Sequence, residues 1–172
     1  LLNLFIITFL LYFLSVAMIT SIFCALESFI SPTNHSSTIL INGIKTFFIS
    51  LLSSVYLSGS NNFGGDIKGH RTDQCLLHID TEQGKWHAQR VFKRAIDMSA
   101  MDGSQCYYTF ALREVGYKKR IEFIEYLLKS DSQNIGVLII DGIADLVSDV
   151  NNLEESNGCI QKLMEWSSIY NL

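Results

Sequence analysis

The run Gly136-Val137-Leu138-Ile139-Ile140 has no polar side chain, and it ends at Asp141. A strand with water on one face alternates apolar and polar residues. A strand that is apolar throughout needs cover on both faces, as inside a parallel sheet flanked by helices. A second run, Gln74-Cys75-Leu76-Leu77-His78-Ile79, ends the same way, at Asp80-Thr81-Glu82-Gln83. Helical patterns stand around these runs. Residues 84–100 read as a polar helix, and in 118–130 the positions Ile121, Ile124, Leu127 and Leu128 make one apolar face. A strand over "TILIN" (38–42), a helix over 45–57, a strand over 106–112 and a last helix over about 154–170 complete the order β-α-β-α-β-α-β-α. That alternation predicts an α/β fold with a mainly parallel sheet and helices on both faces. Residues 58–73, with four glycines, read as a loop.

The front of the chain is different. Residues 1–26 contain no charged residue, and the first charge is Glu27. The stretch is long enough for a membrane-spanning helix, which needs about 20 apolar residues. Two readings stay open for it: a membrane anchor, or an apolar stretch unrelated to the domain behind it. Residues 27–37 read as a polar linker holding the only proline, Pro32, and the domain proper runs over 38–172. The expected location is the cytoplasm, with attachment to a membrane through residues 1–26 as the alternative.

The chain has 172 residues and a net charge of −4, so it can bury one core and has no whole-chain basic footprint for nucleic acid. Its four cysteines are widely spaced and read as reduced thiols rather than a disulfide framework or zinc ribbon. His70, Cys75 and His78 match no zinc spacing, and Cys75 and His78 fall on opposite faces of a strand. Trp86 and Trp166 read as packing residues, His87 as a surface histidine, and Lys118-Lys119-Arg120 as a solvated helix start.

Ligands of open α/β sheets bind at the carboxyl ends of the strands. Asp80, Glu82 and Asp141 all belong there, and consecutive parallel strands bring those ends together. A carboxylate just past a buried strand costs free energy unless something offsets its charge. Hydrated Mg²⁺ is one natural partner, and a nearby carboxylate can take a proton from an attacking water. The plain alternative for Asp141 is a helix cap.

Several of these segments together resemble the RecA-like P-loop ATPases, specifically ATPases of mobile elements and phages of Bacteroides-type bacteria. Those are similar to hexameric plasmid-replication helicases. The segments are Asp80-Thr81-Glu82-Gln83, His87-Ala88-Gln89-Arg90-Val91, Leu112-Arg113-Glu114, and the run from Ile140-Asp141-Gly142 to Asp149-Val150-Asn151. The likeness covers roughly residues 45–172. It implies a RecA-like ATP-hydrolysing core with ATP and Mg²⁺ as cofactors, in a replication or mobilisation protein that forms a homo-oligomeric ring around DNA. In that scheme Asp141 holds the metal through water and Glu82 polarises the attacking water, with Asp80 supporting the site. Gly43, Lys45 and Thr46 correspond to the end of the phosphate loop, where Lys45 reaches a phosphate and Thr46 the metal. The loop departs from G-x-x-x-x-G-K-[ST]: Ile39 and Ile44 occupy its two glycine positions. RecA-like cores also continue with further strands, so an amino-terminal portion of such a core is expected. The competing expectation is a non-hydrolysing remnant, tethered to a membrane or serving as an interaction module.

Overall fold

The computed structural model describes residues 34–59, 61–62, 67–69, 73–99, 106–130 and 134–172. Residues 1–26, expected as an apolar helix, and residues 27–33 of the linker lie outside the described residues. The chain divides into two compact units, residues 1–48 and 49–172.

Helix α1 (Asn34–Ser58) crosses that division. The sequence pattern predicts a strand over 38–42 and a helix only from 45. Instead, 38–42 are helical and continuous with residues 43–58. The physical reason is cooperativity. A strand is stabilised by a neighbour across a ladder, whereas extending an existing helix adds one local hydrogen bond per residue. The "KTFFISLLSSVYL" segment supplies the helix to extend.

In the second unit, α1 leads to a two-stranded antiparallel pair, β1 (Asn61–Asn62) with β2 (Ile67–Lys68), inside the region expected to be loop. Gly69 comes next, packed so closely on α1 that an added Cβ would fall 2.0 Å from the Val55 carbonyl oxygen. Then come β3 (Cys75–Asp80), α2 (Lys85–Ser99), β4 (Tyr107–Ala111), α3 (Tyr117–Ser130), β5 (Ile135–Asp141), a 3-10 turn (Ile143–Leu146) and α4 (Leu153–Tyr170). The expected elements of this part agree to within a residue or two at each end.

The three strands form one parallel sheet in the order β4-β3-β5. β3 is central, and all six of its residues are buried. Side chains alternate between faces. Leu77 and Ile79 pack with Leu112, Ile124, Leu128, Ile135, Leu146 and Trp166, the cluster covered by α3 and α4. Leu76 packs with Tyr107, Leu57, Ala88, Phe92 and Ala95, under α2 and the end of α1. The ladder has one irregularity. Cys75 pairs with Ile135 but Leu76 with Val137, which leaves Gly136 as an extra residue. A Cβ there would meet the Gln74 side chain and the Tyr56 hydroxyl at 2.7–2.8 Å.

The last helix is fastened at its start. Asn152 Oδ1 accepts from the N–H groups of Glu154 (3.0 Å) and Glu155 (3.3 Å), and those two carboxylates sit in the first turn, where the helix dipole favours negative charge. Among the described residues no helix is long and apolar enough to cross a membrane.

Candidate functional site

β3 and β5 run side by side, with Asp80 in register with Asp141. Both strands end at these residues, so two carboxyl groups stand on one face at the carboxyl edge of the sheet. Strand spacing puts their backbones about 4.8 Å apart. Asp80 is 0% exposed and Asp141 1%.

The tip after Asp80 is tied down at several atoms. Asp80 Oδ1 accepts from the N–H groups of Glu82 (3.1 Å) and Gln83 (2.8 Å), which bends the chain out of the strand. The Thr81 N–H donates to the Asp141 carbonyl at 2.9 Å. The Thr81 hydroxyl lies 3.1 Å from that oxygen and 2.8 Å from the Gly142 carbonyl. The D-T-E-Q and D-G segments, about sixty residues apart, are thus one structure. Gly142 has φ +106°, in the left-handed region that other residues avoid. A Cβ there would lie 2.3 Å from Thr81 Oγ1, 2.6 Å from Glu82 Cγ and 3.2 Å from Asp145 Oδ2. The missing side chain lets the stem of Glu82 lie over Gly142. Glu82 itself is exposed.

Charge accumulates at this edge. Burial pushes the Asp80 carboxyl up most strongly. The Gln83 and Glu82 N–H groups pull it back, the charge of Asp141 adds to the rise, and the result is about 6 instead of 3.8. Asp80 Oδ2 is buried and accepts no hydrogen bond among the described residues. Two residues back on the same face, His78 is wholly buried, with Nδ1 2.7 Å from the Tyr107 hydroxyl. Burial drives the imidazole down to about 3 and pushes the Tyr107 phenol up.

The structure brings Asp80, Glu82 and Asp141 to one end of the sheet. Gly43, Lys45 and Thr46 belong to the first unit and lie inside α1, not at a helix start. Arg120 carries no sequence signal of its role. Expected as part of a solvated basic run, it is buried, because its guanidinium binds carbonyls: Nε to Leu112 (3.0 Å), Nη2 to Arg113 (2.8 Å) and Nη1 to Asp145 (2.6 Å). It joins the end of β4 to the turn after Asp141. Thr81 and Gly142 also escape sequence reasoning, although a glycine directly after a strand-ending aspartate signals a left-handed turn. Trp86, expected to pack, is 62% exposed, whereas Trp166 is buried at 4%.

Comparison with known proteins adds no relative: no family model, no curated protein and no solved structure matches this chain.

Proposed function

We propose that the chain contains part of a RecA-like, ATP-binding and ATP-hydrolysing domain of a mobile-element replication or mobilisation protein. The observation that carries this reading is the in-register pair Asp80–Asp141, buried at the carboxyl edge of a parallel sheet, with Asp80 Oδ2 accepting no hydrogen bond among the described residues. Two adjacent buried carboxyl groups call for positive charge. The donors are hard oxygens, which suit Mg²⁺. Among the described residues no group of three His, Cys, Asp or Glu could hold a metal alone, so water and phosphate oxygens would complete the shell.

Asp141 would hold the ion through water; a metal role for Thr46 follows from the resemblance alone. Bound Mg²⁺ supplies charge neutralisation at the phosphates. Asp80 positions the tip, because its Oδ1 fixes the Glu82 and Gln83 N–H groups. Glu82, exposed above Gly142, would accept a proton from an attacking water. Lys45 would offset phosphate charge. DNA as the polymer acted upon and a homo-oligomeric ring follow from the resemblance alone.

One observation favours a second reading, a non-hydrolysing interaction module. A phosphate cradle needs free backbone N–H groups, and within α1 those around Gly43 to Thr46 are committed to helical hydrogen bonds. Titration calorimetry with ATP, with and without Mg²⁺, separates the two. The ATPase reading expects weak, magnesium-dependent binding that Asp141→Asn reduces and Glu82→Gln spares, with phosphate release lost in Glu82→Gln. Binding indifferent to both Mg²⁺ and Asp141→Asn overturns it. No binding at millimolar ATP leaves the interaction module.

A further inference from the structure

The outward face of α2 carries chemistry that the sheet edge does not use. Ala88, Val91, Phe92, Ala95 and Ser99 form its buried side. Helical periodicity puts Trp86, Arg90, Lys93 and Arg94 on the opposite side. Trp86 is 62% exposed and the Lys93 side chain 75%. The Arg90 guanidinium sits 4.8 Å from the Trp86 ring centroid, and the His87 ring meets the indole edge-on at 4.9 Å. Arg90, Lys93, Arg94, Asp97 and Met98 line a shallow hollow of about 370 Å³. Its one carboxylate, Asp97, pairs with Lys93 at 3.1 Å. In a chain of net charge −4 this face reverses the overall sign.

We propose that this face of α2 docks on an anionic lipid surface, with Arg90, Lys93 and Arg94 against headgroup phosphates and carboxylates and Trp86 at headgroup depth. Cations around an amphipathic indole are the composition of such an interface. One observation favours a bilayer over a nucleic-acid strand: the same chain carries, in residues 1–26, an uncharged stretch of bilayer-spanning length. A chain held at a bilayer meets headgroups at a raised effective concentration. The proposal is independent of the nucleotide reading.

The test uses the full chain with vesicles of phosphatidylcholine alone and vesicles containing phosphatidylserine as well. Flotation measures partition, and quenching by lipids brominated near the headgroup reports Trp86, since the other tryptophan, Trp166, is only 4% exposed. Phosphatidylserine should raise partition at least about tenfold, given roughly fivefold for each cation near the surface. High salt should abolish the gain. The triple variant Arg90→Glu, Lys93→Glu, Arg94→Glu should keep its circular dichroism and its binding to phosphatidylcholine through residues 1–26. It should lose the phosphatidylserine gain and the quenching. Equal partition to both vesicle types, or an unchanged gain in the triple variant, overturns the proposal. So does binding of a single-stranded oligothymidylate that quenches Trp86 without any phosphatidylserine preference.

Discussion

The two faces of the sheet are built from alternate residues of the same strands, yet they differ in kind. Under α3 and α4, the face of Leu77 and Ile79 packs against Leu112, Ile124, Leu128, Ile135, Leu146 and Trp166. Under α2 and the end of α1, the opposite face carries His78 and Asp80 from β3, Asp141 from β5 and Tyr107 from β4. Burial of apolar area stabilises the first. The second holds desolvated polar groups, which cost free energy unless each finds a partner. A period of two separates packing from chemistry within one strand, so substitutions one residue apart should behave differently.

The largest effect is expected on the apolar face. Leu128→Ala empties a fully buried position and should cost about 2–5 kcal/mol of unfolding free energy. On the other face Asp80→Asn, equally buried, should be neutral or stabilising at neutral pH, because it relieves desolvation and the repulsion of Asp141. Urea titrations of both variants check this; an Asp80→Asn as damaging as Leu128→Ala would erase the contrast.

Next is the hinge between β5 and its 3-10 turn. Gly142→Ala meets both a disfavoured φ and three crowded atoms, and should cost about 1–3 kcal/mol. The same substitution at Gly158, where an added Cβ meets nothing within 4 Å, should be harmless or mildly stabilising, since alanine suits a helix interior. Equal thermal midpoints for the two variants would show that the turn relaxes.

The polar face also sets a pH signature. Asp80 keeps its proton up to about 6 when folded, against 3.8 ordinarily, so the folded chain binds more protons across that window. Its contribution to stability therefore falls as pH rises through the window. His78 does the opposite. Lowered from 6.5 to about 3, it takes a proton in the unfolded chain first, and stability falls as pH drops below 6.5. The two slopes cancel between about pH 6 and 4, so the pair together should lose stability on acidification between about pH 6.5 and 6 and again below about 4. His78→Phe should remove that loss and leave the gain from Asp80. Denaturant midpoints across the window read the sign; identical pH slopes in the two proteins would refute the assignment.

The smallest effect belongs to the surface. Lys162 Nζ lies 2.5 Å from Glu125 Oε1, joining α4 to α3, but both side chains are partly in water. Lys162→Ala should cost no more than about 1 kcal/mol and less at high salt, by the same urea titration.

Much of the second unit is legible in the sequence because its signals are local. An unbroken apolar run such as "GVLII" has few ways to be buried, and Ile121, Ile124 and Leu128 declare one helix face. Asp80, Glu82 and Asp141 can be placed at one edge since strands that run parallel bring their carboxyl ends together. Residues 38–42 mislead because β-branched side chains state a preference that a continuing helix overrides. Arg120 and Trp86 mislead because exposure is decided by what lies across from a residue.

The sequence by itself determined the order of most elements, the parallel sense of the sheet and which three carboxylates gather at its carboxyl edge. These follow from periodicity and chain direction, which are properties of neighbouring residues. Only the tertiary structure decided that Asp80 stands in register with Asp141, that Thr81 and Gly142 lock the two tips together, and that Arg120 is drawn inward by three carbonyls. Register and hydrogen-bond partners join residues distant in the chain, and they are selected by the energy of the whole packed unit.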